Sequence, residues 1–223
     1  MFETSSPFAD HVDATFLAIA GASAVVLVGL VAAMILFIVR YGRKRNPHPV
    51  NIDGNVPLEV AWTVIPLVLF MGMFWMGWKG YLMERDIPAD AVTVKATARM
   101  WAWSFEYPNG VKADTFYVPV NTPIRVELQS LDVNHAFYVP AFRLKKDVIP
   151  NRGNTTWFKT VKVASYELAC AEYCGLNHAY MYNKIVSMDS AAFERLYAEL
   201  SAKQSRPYAP FAASAPRTES PGN

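Results

Sequence analysis

Phe16–Val39, FLAIAGASAVVLVGLVAAMILFIV, contains no charged residue. A stretch of about 20 apolar residues is what a helix needs to cross the hydrocarbon core of a bilayer, so this one reads as a membrane span. A second uncharged run, Val60–Trp78, contains Pro66, which a membrane helix tolerates better than a soluble one. Trp62, Trp75 and Trp78 lie near its ends, as interfacial aromatics do. Together the runs predict a transmembrane hairpin over residues 16–85, with helices at about 16–39 and 58–82. Arg40, Arg43, Lys44 and Arg45 follow the first run directly. By the positive-inside rule the connecting loop, 40–57, is cytoplasmic. Residues 1–15 then form an outer leader, and everything after the second helix lies on the outer face, in a bacterium the periplasm. Glu3, Asp10 and Asp13 precede the first run with no basic n-region and no small-residue cleavage pattern after it, which predicts a retained anchor, not a cleaved signal.

Outward from the hairpin, 223 residues leave room for one further domain. The apolar fraction of 52% is concentrated in the first third, and the net charge of +2 offers no electrostatic case for a nucleic-acid partner. Beyond the second run the texture turns to short stretches rich in Val, Thr, Tyr, Phe and Trp. Thr93–Thr97 alternates, Met100–Tyr107 is aromatic, Ile124, Val126 and Leu128 share one face, and Trp157–Val163 offers another strand. Pro108-Asn109-Gly110, Asn121-Thr122-Pro123 and Pro150-Asn151 separate them as turns. Short strands with turns between them predict a β-sandwich or Greek-key barrel. Ser190 can cap a helix carrying Phe193, Leu196, Tyr197 and Leu200 at helical spacing. Residues 204–223, rich in Pro, Ala and Ser, are expected to be a disordered tail.

Chemistry concentrates in Cys170-Ala171-Glu172-Tyr173-Cys174-Gly175-Leu176-Asn177-His178-Ala179-Tyr180-Met181. Cys170 and Cys174 are the only cysteines, and in an oxidising compartment they admit two readings, a small-loop disulfide or a metal site. Two thiols, an imidazole and a thioether together favour copper, because a structural zinc site rarely takes Met. His135 is the remaining histidine of the outer domain, since His48 falls in the cytoplasmic loop and His11 in the leader. With His135 the set holds one thiolate too many for a blue-copper centre. Two coppers bridged by two thiolates fit better.

On these residues the chain resembles subunit II of cytochrome c oxidase, a resemblance that runs from the first helix to the predicted C-terminal helix. It implies a membrane-anchored all-β protein, a two-helix transmembrane hairpin followed by a cupredoxin-like Greek-key barrel or sandwich over residues 90–203. It implies a binuclear copper A (CuA) centre with Cys170 and Cys174 as bridges. His135 and Met181 would complete one copper, and His178 and the main-chain carbonyl of Glu172 the other. The Glu172 side chain would be a ligand to a magnesium ion (Mg2+) shared with subunit I. The run Met100-Trp101-Ala102-Trp103-Ser104-Phe105-Glu106-Tyr107 is similar to the family's aromatic segment, which places Trp101 where electrons arrive from cytochrome c. Asp132-Val133-Asn134-His135 and Lys146-Asp147-Val148-Ile149-Pro150 also match in order. Pro57-Leu58-Glu59-Val60-Ala61-Trp62-Thr63 looks like the start of the family's second helix, with Glu59 at the mouth of a proton channel in subunit I. Otherwise an acid at a helix start is an ordinary dipole partner.

The implied function is the electron-accepting subunit of a respiratory, proton-translocating oxidoreductase in the bacterial inner membrane. Its partners would be subunits I and III, a cytochrome c donor and membrane lipid. The chain departs from the family pattern at Met100, Ala102, Asn151 and Tyr182, none of them a ligand. Few acids stand where a basic cytochrome would dock: Glu106 and Asp132 remain, with Arg143, Lys145 and Lys146 close in sequence. No Cys-x-x-Cys-His occurs, so no fused haem c is expected. A nitric oxide reductase of the same superfamily would share the copper centre. A copper-carrying assembly protein would need neither the aromatic segment nor the membrane glutamate, and a quinol oxidase subunit would lack the ligands.

Overall fold

The computed structural model describes residues 5–48, 50 and 53–204. Helix α1 spans Pro7–Arg40 and α2 spans Val56–Arg85. Both are apolar enough to cross a membrane, and their large side chains, among them Phe16, Leu27, Ile65 and Phe70, are exposed. A helix that is apolar all round has lipid or a partner helix as its solvent. The apolar runs mark the part of each helix in the hydrocarbon, whereas the helices continue beyond it until caps stop them. For α1 the start is set by Ser6, whose side chain accepts the Phe8 N–H at 3.3 Å, followed by Pro7 in the first turn. Residues 7–15, expected as leader, are therefore helix, and residues 1–4 lie outside the described residues.

The start of α2 has a reciprocal cap. Asn55 Oδ1 accepts the Leu58 N–H at 3.1 Å, and Glu59 Oε1 accepts the Asn55 N–H at 3.3 Å.

The outer domain contains ten strands: β1 (Val92–Arg99), β2 (Ala102–Glu106), β3 (Lys112–Ala113), β4 (Phe116–Pro119), β5 (Pro123–Ser130), β6 (His135–Val139), β7 (Leu144–Val148), β8 (Asn154–Lys159), β9 (Ala164–Cys170) and β10 (Tyr182–Met188). They form two five-stranded sheets, β3-β2-β1-β5-β8 and β4-β10-β9-β6-β7, packed as a sandwich. Most neighbours are antiparallel, but β1 pairs with β5 and β4 with β10 in parallel. In β5 the expected alternation holds, with Ile124, Val126 and Leu128 all inward.

Between the sheets Phe105 stacks on Phe116 at 4.5 Å, and Phe158 meets Phe116 edge-on at 5.7 Å. All three are fully buried, and each such ring is worth roughly 1.5–3 kcal/mol of burial. Helix α3 (Ser190–Gln204) closes one edge, with Phe193 and Tyr197 against Tyr107. Its first turn is closed by the Phe193 N–H to the Asp189 carbonyl at 2.9 Å, so Asp189, not Ser190, is the cap residue. Gln204, expected as the first tail residue, ends the helix and binds the Lys112 backbone through both amide atoms. The rest of the predicted tail, 205–223, lies outside the described residues.

Candidate metal centre

Cys170 is the last residue of β9 and Met181 immediately precedes β10, so the whole cysteine loop spans one antiparallel hairpin end. The Cys170 N–H donates to the Met181 carbonyl at 3.1 Å and closes the loop at its neck. Beside it, β6 pairs with β9 through Phe137 opposite Cys170, and this pairing delivers His135 from 35 residues upstream.

The two cysteines are free and buried, with their sulfurs 3.8 Å apart. His135 Nδ1 is 3.7 Å from Cys170 Sγ, and His178 Nδ1 is 3.5 Å from Cys174 Sγ. Met181 Sδ lies 3.7 Å from Cys174 Sγ, and the Glu172 carbonyl oxygen 3.2 Å from Cys170 Sγ. The ligand atoms of His135, Cys170 and Cys174 all fall within 4.8 Å of one another. His135 is completely buried, while His178 is half-buried under Tyr173, with ring centres 5.7 Å apart. Burial, followed by the neighbouring Cys170 sulfur, pushes the Cys174 thiol up to about 12, so a bound cation is what would hold it as thiolate. The cluster of His135, Cys170, Cys174 and Met181 is consistent with a copper site, since soft sulfur and imidazole donors converge on one small volume.

Sequence reasoning missed the support behind these ligands. His135 Nε2–H donates to Asp132 Oδ1 at 2.8 Å, which turns the Nδ1 lone pair towards Cys170. The same carboxylate accepts the Met100 N–H at 2.6 Å and the Val133 N–H at 2.7 Å. Burial opposes the ionisation of Asp132, but these bonds outweigh it and hold its pKa below the usual value. The signal was available, because Asp132 stands three residues before His135. Trp101 Nε1–H donates to the Cys174 carbonyl at 3.1 Å, so the aromatic segment touches the cysteine loop directly. Gly175 turns the loop against the Trp101 ring: its φ of +110° is a backbone conformation that favours glycine.

Glu172 Oε1 accepts from Lys145 Nζ at 2.7 Å, a partner the sequence did not suggest. Glu59 is about 25 residues and 38 Å along α2 from the outer end of that helix, far from the cluster. His11 lies on α1 and donates to the Met76 carbonyl of α2 at 3.0 Å.

A membrane hairpin carrying a β-sandwich with a soft-ligand metal cluster is the class that this architecture defines. Comparison with known proteins agrees. The profile of the cytochrome c oxidase subunit II transmembrane domain matches residues 1–75, and that of the subunit II periplasmic domain matches residues 111–188. The chain is 31% identical to cytochrome c oxidase subunit 2 of Cereibacter sphaeroides, covering 73% of this chain and 68% of that one. It is 32% identical to the corresponding subunit of Alkalihalophilus pseudofirmus, covering 81% of this chain and 56% of that one. The crystal structure of the periplasmic domain of subunit II of cytochrome oxidase from Bradyrhizobium japonicum aligns with a TM-score of 0.51 at 34% identity, over 53% of this chain and 99% of that one. The chain belongs to the family of subunit II of cytochrome c oxidase and is a membrane protein with two transmembrane helices and a periplasmic domain.

Proposed function

We propose that the chain accepts single electrons from a cytochrome c at a binuclear copper A centre and passes them to haem in subunit I, where oxygen is reduced and protons are moved. The observation that carries this reading is the convergence of two free thiols, two imidazoles and a thioether, with neighbouring donor atoms 3.5–3.8 Å apart. Cys170 and Cys174 would hold both ions, with His135 and Met181 on one and His178 and the Glu172 carbonyl on the other. A bound copper pair supplies a one-electron acceptor whose change of charge is spread over two ions.

The chain's own residues do the rest. Asp132 orients His135 and at the same time anchors Met100, next to Trp101. Trp101 offers an indole bonded to the backbone of a bridging cysteine, which supports its role as the place where electrons arrive. Burial of His135, Cys174 and Met181 excludes water from the ligand set. Lys145 holds one oxygen of Glu172, and the other would be this chain's contribution to a magnesium ion shared with subunit I. Glu59 belongs to the cytoplasmic mouth of a proton channel in subunit I. The assembly sits in the bacterial cell membrane with subunits I and III.

Copper analysis of the full chain tests the reading. Two ions per chain are expected, with a paramagnetic spectrum in which one unpaired electron is shared by both nuclei. One ion per chain with the spectrum of a single cupric centre overturns it.

A further inference from the structure

We propose that Lys145 and Asp147 form a cation-exchange switch on Glu172: the Lys145 ammonium neutralises Glu172 in the unassembled chain and turns to Asp147 when Glu172 takes up a divalent ion in the assembled oxidase. This inference rests on the reading above that Glu172 is this chain's ligand to the shared magnesium ion.

The strand geometry brings the three groups together. Lys145 and Asp147 stand two residues apart on β7, so they share one face of it, whereas Lys146 points the other way and bonds Glu84 of α2. Strand β7 is the edge of its sheet, and only β6 separates it from β9, whose end carries the cysteine loop. Lys145 Nζ lies 2.7 Å from Glu172 Oε1 and 3.5 Å from Asp147 Oδ1. One ammonium therefore sits between two carboxylates, with both partners already in range.

The energetics favour exchange. The side chains of Lys145, Glu172 and Asp147 are 43%, 43% and 53% exposed, and an exposed ion pair changes an equilibrium by no more than about fivefold. A divalent ion carries twice the charge of the ammonium and prefers oxygen donors such as a carboxylate, so it prevails over the pair. An ammonium left on Oε1 would then repel the ion held by the other oxygen of the same group. Asp147 offers it another partner within a short swing of a flexible four-carbon stem. While Lys145 is on Glu172, Asp147 is the unbalanced carboxylate. Once Lys145 is on Asp147, the whole charge of Glu172 faces the ion. Before assembly the ammonium thus occupies the carboxylate that the shared ion will need.

The test uses the assembled oxidase prepared with manganese in place of magnesium, and follows the paramagnetic signal of the bound ion after excess EDTA is added. Asp147→Asn strands the ammonium on Glu172, and release is expected about fivefold faster. Lys145→Met removes the competitor, and release is expected about fivefold slower. Asp147→Asn added to Lys145→Met should change release by less than about twofold, because a carboxylate in water that does not touch the ion is largely screened. Copper content should be unchanged in all three variants, since both substituted side chains are exposed and neither is a copper ligand. An inert Asp147→Asn, an equal effect of Asp147→Asn in both backgrounds, or unchanged or faster release from Lys145→Met overturns the switch. Glu172→Gln separates the two levels of the argument. Loss of the manganese signal there, alongside an inert Asp147→Asn, leaves the ligand reading standing and removes the switch, while a signal retained in Glu172→Gln overturns both.

Discussion

Cys174 and Met181 both lie in the ligand cluster, yet their chemistry separates them. Cys174 Sγ sits within 4 Å of the Cys170 sulfur, His178 Nδ1 and Met181 Sδ, so it is the shared atom of the cluster. A serine hydroxyl is a harder and far less acidic donor than a thiol. Cys174→Ser is expected to abolish the two-copper centre, whereas Met181→Leu should keep both ions and shift the reduction potential. Metal content and redox titration check this, and equal loss of copper from both variants contradicts the ranking. At the same scale Asn151 explains a departure from the family pattern. Its φ is +59°, a left-handed conformation that asparagine tolerates better than other non-glycine residues, so the turn is kept without a glycine.

Between elements, Tyr107 ties the two sheets. It follows β2 in one sheet, and its hydroxyl donates to the Tyr117 carbonyl at 2.7 Å and accepts the Tyr117 N–H at 2.9 Å on β4 in the other. Tyr107→Phe leaves both backbone groups of Tyr117 without this partner. The expected loss is about 1–3 kcal/mol, the cost of an unsatisfied buried polar group, read as a lower midpoint in denaturant. Burial, chiefly, raises the pKa of Tyr107 above the ordinary value of 10.0. An unfolded chain therefore loses this proton first as pH rises. Stability is fully present below about pH 10 and is lost above it, and Tyr107→Phe should flatten that alkaline loss. Denaturant midpoints at pH 8 and about pH 11 measure the difference.

For the whole molecule, the sandwich is seated on the outer ends of the hairpin by specific contacts. Arg143 donates to Asp13 of α1, Lys146 to Glu84 of α2, and Trp157 Nε1–H to the Met83 carbonyl. Phe8 meets Trp157 edge-on at 4.8 Å. The cysteine and histidine cluster is thus held beyond one end of the hairpin and Glu59 at the other. Glu59→Gln keeps an oxygen that can accept the Asn55 N–H, so the start of α2 should survive and only the charge is lost. In the assembled oxidase, turnover is expected to slow while reduction of the copper centre by its donor keeps its rate. Oxygen uptake compared with stopped-flow reduction separates the two steps, and full turnover in the variant leaves Glu59 as a helix-start cap. An ionisable group at a membrane boundary is costly unless it has a use, which is why the functional role is worth testing.

The sequence by itself determined what depends on local chemistry. Span length and polarity are properties of consecutive residues, so Phe16–Val39 and Val60–Trp78 announced the hairpin, and Cys170–Met181 announced a soft-metal site within one loop. The alternation of Ile124, Val126 and Leu128 likewise placed β5. Strands β6, β7, β9 and β10 escaped that reading because they are buried or mixed in polarity and show no clean period of two. Only the tertiary structure decided how distant segments meet. The pairing of β6 with β9 is what brings His135 to Cys170, and parallel pairing of β1 with β5 leaves no local signal at all. The same holds for Trp101 on Cys174, Asp132 behind His135 and Lys145 on Glu172. Each is a contact between residues far apart in the chain, or a choice among several possible hydrogen-bond partners, and packing of the two sheets against one aromatic core selects it.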